Sequence, residues 1–407
     1  MSLEWIETQR PRMVELLETW AAINSGSHNV AGLRRQAAAI GAVLRELGGE
    51  VSEVALPAQR MVGERGEALS HALGRVIVVR SPRRAGPRVL LGIHYDTVYG
   101  EEHPFQKPVR LEEETIRGPG VCDAKGGLLV MLFALLAVER MPVGRQLNWE
   151  VVLNPDEELG SPGSAPLWEE AAKRNDIGLL FEPALADGSL AGSRKGSGNF
   201  TFVVHGRSAH AGRNSAQGRN AIHALAGLVN EVAGLKEAVP GIVVNTGFIH
   251  GGGPVNVVPD RAMGRVNFRV ESVEQQREIE EALARIVQRT EADGIHVETD
   301  GGFHAPPKLL TPPIEEMLRH LQACGKALGI PIAWKPTGGT CDGNRLAAAG
   351  LPTVDSLGVR GGEIHTDQEF MKIESLTERA RLVALFLSRL AAGEIQVRKA
   401  TAEETRP

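Results

Sequence analysis

The chain has 407 residues, of which 42% are hydrophobic and 23% are charged, and its formal net charge is −5. A chain of this length predicts two domains, and its slight acidity argues against electrostatic binding to nucleic acid or to an anionic membrane. The polar N-terminal residues 1–12 lack the apolar core of a signal peptide. Three widely spaced cysteines, without a C-x-x-C pair, argue against disulfides or a thiolate zinc site and favour a cytoplasmic setting.

The first part of the chain alternates helix and strand signals. Apolar residues recur at helical spacing between Leu33 and Leu47, and the glycines at 48 and 49 end that helix. The longest apolar run, residues 128–138, is too short to span a bilayer and predicts a buried helix over 126–140. Strands are predicted at residues 76–79, 89–93, 149–153 and 177–181. This order predicts an α/β fold, a sheet with helices on both faces.

The pattern changes between residues 196 and 305. Strands are predicted at residues 200–205, 243–249, 265–270 and 295–299, and helices at 216–235 and 272–293. Ser272 and Gln275 form a capping box at the start of the second helix. The order β-α-β-β-α-β is the ferredoxin-like arrangement, which is complete by itself. We therefore expect a small α+β domain, residues 196–305, inserted into a larger domain formed by residues 1–195 and 306–407.

The α/β pattern resumes after the insertion. A helix is predicted over residues 314–328 and a strand over 352–356. Ser375 and Glu378 resemble a second capping box, which would open a final helix that runs to residue 392. The polar tail, residues 398–407, is predicted to be frayed.

Several acidic or histidine-containing segments lie at predicted strand ends, where open α/β sheets bind their ligands. His94 ends one strand, and Asp96 follows two residues later on the same face, where it could fix the tautomer of His94. A surface ion pair is the alternative. Asp123 lies on a glycine-rich turn before the buried helix and could bridge two cations or serve as a helix N-cap.

Three further segments carry candidate ligands. The acids at residues 156–158 directly follow a strand, so one could bind a metal while its neighbour acts as a base, although a charged loop is the alternative. Glu182 ends another strand, and a glycine-rich loop late in the chain presents His365. Together the segments offer two histidines and several carboxylates, a donor set that suits paired Zn²⁺ or similar ions about 3.5–4 Å apart. Such a pair lowers the pKa of a shared water, and an adjacent glutamate can accept its proton.

The order of these motifs resembles the M20 metallopeptidase family over residues 14–390, and within it the carboxypeptidase G2-like glutamate carboxypeptidases. The resemblance implies a mixed-sheet di-metal domain with an inserted ferredoxin-like domain that acts as a lid and forms a homodimer. It also implies the ligands of two divalent ions, zinc or alternatively cobalt or manganese. Asp123 would bridge both ions, His94 and Glu182 would complete one site, and Glu158 and His365 would complete the other.

The resemblance further assigns roles in catalysis and substrate binding. Glu157 would be the general base, Asp96 would orient His94, and His210, in the motif Ser-Ala-His-Ala-Gly, would stabilise the oxyanion in the partner subunit's site. The substrate carboxylate would be bound by two side chains and one loop: Asn256, Arg269, and the backbone of Gly338, Gly339 and Thr340. A forked pair with arginine would fix the orientation of that carboxylate.

One departure from the glutamate carboxypeptidases concerns the substrate side chain. These enzymes use a lysine after the Glu-Pro pair, whereas residues 186–192 here contain none. Arg194 and Lys195 follow slightly later and are the candidates to compensate. Cys122 and Cys341 lie beside functional loops and are interpreted as small buried residues, because no role remains for a thiolate.

The sequence therefore predicts a metal-dependent hydrolase that cleaves an amide bond next to a free carboxylate. Its substrates would be N-acyl amino acids or short peptides, from which it releases the C-terminal amino acid. The alternatives within the family are an N-deacylase, a dipeptidase and an aromatic-amide hydrolase. A non-catalytic carboxylate-binding homologue is the alternative outside enzymes, and the complete set of candidate ligands argues against it.

Overall fold

The computed structural model describes residues 2–112 and 114–398. Its main feature is a six-stranded mixed sheet. In sheet order the strands are Glu50–Ala55, Arg75–Arg80, Asn148–Asn154, Arg88–His94, Ile177–Leu180 and Thr353–Val354. The two pairings among the first three strands are antiparallel, and the three pairings from the third strand to the sixth are parallel, so the sheet is mixed as predicted. Residues of the predicted frayed tail from 399 onward lie outside the described residues.

Helices cover both faces of this sheet. In the strand Arg88–His94, Val89 and Leu91 join the larger core, whereas Leu90 packs on the other side with Trp168. This alternation follows from the two-residue period of a strand. The helices are Ser2–Thr8, Arg10–Ala21, Val30–Leu44, Gly127–Glu139, Ala165–Arg174, Ala221–Ala233, Leu235–Ala238, Val273–Thr290, Pro312–Leu328, Asp342–Ala348 and Glu374–Ala391.

The helix Gly127–Glu139 lies in the larger core. The longer segment Val121–Glu139 has the length and apolar composition of a membrane span, yet its most apolar window is entirely buried inside the protein. A helix that is apolar on every side is expected either in a core or in a membrane, and its burial identifies this one as a core helix. The prediction of a buried helix is therefore confirmed.

Residues 196–305 contain a second sheet and a separate core, and we call this segment the inserted unit. Its antiparallel strands, in sheet order, are Val243–Gly251, Arg261–Val270, Gly196–His205 and His296–Ala305. Two helices, Ala221–Ala233 and Val273–Thr290, pack on one face of this sheet. The observed order is the predicted β-α-β-β-α-β, while the domain division at residues 196 and 305 remains our proposal.

The two chain segments that connect the inserted unit to the main sheet lie side by side. The backbone N–H of Arg194 donates to the carbonyl of Lys308 at 2.9 Å, and the N–H of Lys308 donates back at 3.0 Å. The buried carboxylate of Asp355 pairs with Arg194 at 2.7 Å and with Lys308 at 2.6 Å. A buried carboxylate with two cationic partners therefore fixes this crossing.

A buried asparagine strengthens the same crossing. The Asn344 side-chain amide donates to the carbonyl of Lys195 at 3.0 Å and to that of Pro306 at 2.7 Å. One side chain from the helix Asp342–Ala348 thus bonds to both connecting segments.

The remaining strands form small sheets around the main one. They are Gln59–Val62 with Ala68–His71, Leu190–Arg194 with Trp334–Thr337, Ala209–His210 with Val257–Val258, and the set Val109–Glu112, Thr115–Arg117, Phe370–Lys372 and Gly361–Gly362. Helices Ser2–Thr8, Arg10–Ala21, Ala165–Arg174 and Asp342–Ala348 were not predicted from the sequence.

Two predicted helix starts differ from the structure. The helix predicted from residue 216 begins at Ala221, because the Asn220 side chain accepts a hydrogen bond from the His223 N–H at 3.1 Å and caps it there. The predicted capping box of Ser375 and Glu378 was wrong, since the helix begins at Glu374 and Ser375 lies inside it. The capping box of Ser272 and Gln275 is confirmed.

Candidate active site

His94 is the last residue of a central strand, and its side chain is only 1% exposed. Its Nδ1 lies 3.0 Å from the backbone carbonyl of Asp96 and 3.3 Å from the Asp96 carboxylate. An N–H at Nδ1 satisfies these acceptors and leaves Nε2 as the free lone pair. Nε2 points at Asp123, so His94 is oriented as the sequence predicts for a metal ligand with a carboxylate behind it.

The Asp96 carboxylate also holds the acidic loop. It accepts hydrogen bonds from the backbone N–H groups of Glu157 and Glu158, both at 3.2 Å, and from the Ser27 hydroxyl at 2.7 Å. Asp96 therefore fixes His94 and the two neighbouring glutamates relative to each other.

Asp123 is the centre of the cluster. It lies in the loop Val121–Gly126 before the core helix, rather than at the helix N-cap, which is Gly126. Its Oδ1 is 3.0 Å from Nε2 of His94, and its Oδ2 is 3.4 Å from Nε2 of His365. The two oxygens of one carboxylate thus face two different histidines.

Each histidine also faces a glutamate. Nε2 of His94 is 3.7 Å from Oε2 of Glu182, and Nε2 of His365 is 3.3 Å from Oε2 of Glu158. We call these four residues, together with Asp123, the metal cluster. Ligands arranged tetrahedrally about 2.0–2.1 Å from a zinc ion are about 3.3 Å from one another. The histidine–carboxylate distances in both halves of the cluster lie around that value. Ligand atoms of His94, Asp123 and Glu158 all lie within 4.8 Å of one another, so the residues present suit a divalent metal ion.

The electrostatics of the cluster also favour cations. Burial together with Asp123 raises the pKa of Glu158 to about 7. Burial together with the charge of Glu182 raises the pKa of Glu157 well above its usual range. Hydrogen bonds to Asp123 and Glu158 raise the pKa of His365 to about 10. Such raised pKa values are expected where buried negative charges lack nearby positive charge. Divalent cations would supply that positive charge.

The loop that presents His365 has unusual backbone geometry. Both Glu363, with φ of 54°, and His365, with φ of 64°, are in the left-handed region that non-glycine residues seldom adopt. The His365 side chain is 52% exposed, in contrast to the buried His94. The second half of the cluster is therefore the more open one.

A cavity of about 940 Å³ opens beside the metal cluster. Its wall includes Glu157 and four members of the cluster, and it also includes Arg269, Gly339 and Thr340 from the predicted substrate-binding residues. The Arg269 guanidinium donates to the Thr340 hydroxyl at 3.2 Å, so a strand of the inserted unit meets the glycine loop here. A cationic side chain and candidate ligands thus share one cavity.

Comparisons with known proteins agree with this geometry. Residues 90–389 match the model of the family described as peptidase family M20/M25/M40. The chain belongs to this family. It is 28% identical over 395 residues to carboxypeptidase G2 of Pseudomonas sp. (strain RS-16), a match that covers 95% of this chain and 91% of that protein.

Two further relatives support the same placement. Succinyl-diaminopimelate desuccinylase of Corynebacterium glutamicum is 28% identical over 336 residues, which cover 77% of this chain and 84% of the relative. The crystal structure of an M20 family metallo-carboxypeptidase from Sulfolobus solfataricus superposes with a TM-score of 0.72 at 18% identity, and covers 93% of this chain and 99% of that one. This M20 chain is accordingly a metallohydrolase with the mixed α/β fold predicted from the sequence.

Not all predicted site residues reach the cavity. Gly338, His210 and Asn256 do not line it. His210 and Asn256 instead lie together on an exposed ribbon, where Ala209–His210 pairs with Val257–Val258. The N–H of Ala211 donates to the carbonyl of Asn256 at 2.9 Å. The structure brings these two residues to each other but not to the metal cluster of their own chain.

The two candidates to replace the missing lysine differ in position. Arg194 lines the cavity, but its guanidinium is already paired with Asp355. Lys195 pairs with Glu271 at 2.9 Å and donates to the carbonyl of Gly241, outside the cavity wall. Lys195 is thus not placed to bind a substrate in the cavity.

Glu369 supports the Asp123 loop and was not predicted from the sequence. Its buried carboxylate accepts the N–H groups of Cys122 and Asp123, at 2.8 and 2.9 Å, and that of Gly120 at 3.1 Å. It also accepts the Tyr99 hydroxyl at 2.8 Å. The only sequence signal is a carboxylate four residues after His365, which alone does not distinguish it from a surface acid.

The cysteines beside these loops are buried, as predicted. Burial raises the pKa of the Cys122 and Cys341 thiols well above their usual range, so both remain protonated at neutral pH.

Proposed function

We propose that this M20 chain is a two-metal hydrolase that releases the C-terminal amino acid from N-acyl amino acids or short peptides. The observation that carries the proposal is the Asp123 carboxylate, whose two oxygens each face one histidine–glutamate pair. A carboxylate shared between two ligand sets suits a pair of divalent ions held close together. The relative named carboxypeptidase G2 supports the carboxypeptidase direction.

The ions we propose are zinc, with cobalt or manganese as alternatives, because the donor set consists of imidazole nitrogen and carboxylate oxygen. His94, Asp123 and Glu182 would hold one ion, and His365, Asp123 and Glu158 the other. When bound, such ions polarise a scissile carbonyl and lower the pKa of water. The three buried free cysteines agree with the cytoplasmic setting that we propose.

Glu157 is our candidate for the general base. It lines the cavity beside Glu158, and Asp96 fixes its backbone N–H. Its half-buried carboxyl group, whose pKa is raised well above the usual range, is suited to accepting a proton from an attacking water and passing it to the leaving amine. Because Glu157 makes none of the close histidine contacts of Glu158 and Glu182, we assign it the proton transfer rather than metal binding.

Recognition of the substrate carboxylate is assigned to Arg269 with Gly339 and Thr340. Burial lowers the pKa of Arg269, yet a guanidinium remains charged in proteins, so it offers a forked donor to a carboxylate. A carboxylate bound at this position would place the adjacent amide bond within the cavity that the metal cluster lines.

We propose a homodimer in which His210 and Asn256 of one subunit serve the cavity of the other. The support is their shared position on an exposed ribbon, away from the cavity of their own chain. Imidazole and carboxamide donors from a partner could stabilise the oxyanion and bind the carboxylate.

The test is release of free amino acid from a panel of N-acyl amino acids and dipeptides, with Zn²⁺, Co²⁺ or Mn²⁺ added and a chelator control. Chelator-sensitive release from substrates with a free carboxylate, but not from their methyl esters, is the expected result. Equal hydrolysis of the esters would favour an N-deacylase or an aromatic-amide hydrolase. Binding of the panel without turnover at any metal loading would favour a non-catalytic carboxylate-binding homologue and contradict the proposal.

A further inference from the structure

Three asparagines form a row across the sheet of the inserted unit. Asn245 and Asn199 are the direct cross-strand neighbours of Asn267, on either side of it. We call Asn199, Asn245 and Asn267 the asparagine row. Because directly paired residues of adjacent strands project from the same face, the three carboxamides lie side by side, and all three line the cavity beside the metal cluster.

The row is continuous with the residue proposed to bind the substrate carboxylate. Arg269 lies two residues after Asn267 on the same strand and therefore on the same face, about 7 Å away between Cα atoms. The Arg269 Nε donates to the Asn267 Oδ1 at 3.2 Å, while the Asn267 amide donates to the Asn199 Oδ1 at 2.7 Å. The row therefore begins in direct contact with the Arg269 side chain.

Hydrogen-bonding capacity remains free in this row. Among residues 2–112 and 114–398, the Asn245 carboxamide makes no hydrogen bond, and the Asn199 side chain uses only its oxygen. Both side chains are exposed to the cavity. A carboxamide has two donors and an acceptor, so a free one can pair with a neutral group that also donates and accepts.

The charges around the cavity disfavour a second carboxylate on the substrate. Outside the metal cluster, and besides Arg269, the cationic side chains of the described cavity wall are Arg194 and Arg345. Arg194 is paired with Asp355, and Arg345 lies 3.6 Å from Asp342 and donates to the carbonyl of Gly160. Burial, with Arg345 and Arg269 nearby, lowers the pKa of His304 to about 4, so this wall histidine is neutral at pH 7.

The geometry points to a subsite in which the asparagine row selects a released amino acid with a neutral, hydrogen-bonding side chain, an amide or a hydroxyl, over one with a carboxylate. The inference rests on the proposed function, because it needs Arg269 to hold the α-carboxylate. Glutamine and glutamate side chains have nearly the same shape, so their comparison isolates the charge. We expect kcat/KM for an N-acyl glutamine to exceed that for the matching glutamate by about tenfold or more.

The experiment compares N-acyl glutamine, glutamate and leucine, each with acetyl, benzoyl and succinyl groups, on the metal-loaded wild type and on two variants. Asn199→Lys adds a cation to the row without removing a contact of Arg269, and should shift the glutamine-to-glutamate ratio toward glutamate by about tenfold. Asn230→Lys makes the same change on an exposed helix position outside the cavity wall, and should leave the ratio unchanged.

The outcomes separate this inference from the proposed function. Glutamine ahead of glutamate, with a ratio that moves only in Asn199→Lys, supports the asparagine row. Chelator-sensitive release led by glutamate, or a ratio that does not respond to Asn199→Lys in a protein with wild-type thermal unfolding, overturns the inference and leaves the hydrolase standing. The absence of chelator-sensitive release from every substrate overturns both.

Discussion

The metal cluster and the asparagine row line the same cavity, yet their side chains are held differently. His94, Asp123 and Glu182 are at most 8% exposed, and backbone or carboxylate partners fix the loops that carry them. Asn199 and Asn245 are exposed and retain free hydrogen-bonding groups. The comparison teaches that the fold positions the candidate metal ligands before any substrate arrives, whereas the groups proposed for recognition keep hydrogen-bonding capacity that a substrate would use.

The largest effect is expected from a substitution that removes the shared ligand of the metal cluster. Asp123→Ala should lose both divalent ions and all measurable activity, because each oxygen of this carboxylate serves one half of the cluster. Metal content per subunit, measured by mass spectrometry after dialysis, checks this. Retention of two tightly bound ions would show that Asp123 does not bridge them.

The next largest effect is expected from substituting Glu157, which tests whether proton transfer is separate from metal binding. Glu157→Ala should keep both ions but lower kcat by about 10²- to 10⁴-fold, the usual contribution of a general base. Steady-state kinetics and metal analysis of the same preparation provide the measurement. Turnover at the wild-type rate would refute the role of Glu157.

His210 tests whether recognition and oxyanion binding extend across a dimer. His210→Ala should lower kcat by about 10²- to 10³-fold. When it is mixed with inactive Glu157→Ala, hybrid dimers contain one intact site, so random exchange should restore about a quarter of wild-type activity. Absence of recovery, with subunit exchange demonstrated by differently tagged chains, would contradict action in trans.

Glu369 tests how strongly the loop beneath the metal cluster is fixed. Glu369→Gln should weaken metal affinity by about 10- to 100-fold, because it weakens the acceptor of the Cys122 and Asp123 N–H groups. Competition with a chelator measures this affinity. Glu170→Gln, at an exposed acid on the helix Ala165–Arg174, is the control and should have no effect.

The smallest effect concerns the cavity wall of the inserted unit. Since the folded pKa of His304 is about 4 and its ordinary value is 6.5, the unfolded chain binds the extra proton between these pH values. Stability contributed by neutral His304 is present above pH 6.5 and lost as the pH falls toward 4, by about 1–3 kcal/mol. In urea unfolding, His304→Gln should flatten this part of the pH profile relative to the wild type. His250→Gln, at an exposed histidine, should leave the profile unchanged. An unaltered profile in His304→Gln would contradict the lowered pKa of His304.

Much of the main sheet could be predicted because its strands are buried on both faces and end in characteristic motifs. His94, Glu158 and Glu182 converge as predicted, since parallel strands bring their carboxyl ends to one edge of the sheet. Asp123 and His365 join them from loops outside that sheet. The metal roles themselves remain predictions. The order of elements in the inserted unit also followed from periodicity.

What could not be predicted depends on contacts between distant segments. Glu369 looks like any acid in a polar loop until the fold places it under three backbone N–H groups. Ser375 matched a capping box, but in the structure its hydroxyl oxygen accepts a hydrogen bond from the Arg360 N–H at 3.0 Å instead. The asparagine row joins residues from three strands, and its register is set only when the sheet forms.

The crossing held by Asn344 and Asp355 has a consequence for how this molecule could change during evolution. Both connections of residues 196–305 pass one small, buried point, and none of the metal cluster lies within the inserted unit. A related sequence could therefore replace this segment as a cassette, provided that its two ends meet the same carboxylate and carboxamide. The substrate preference and subunit pairing that we propose for this unit would then be inherited together, separately from the metal cluster.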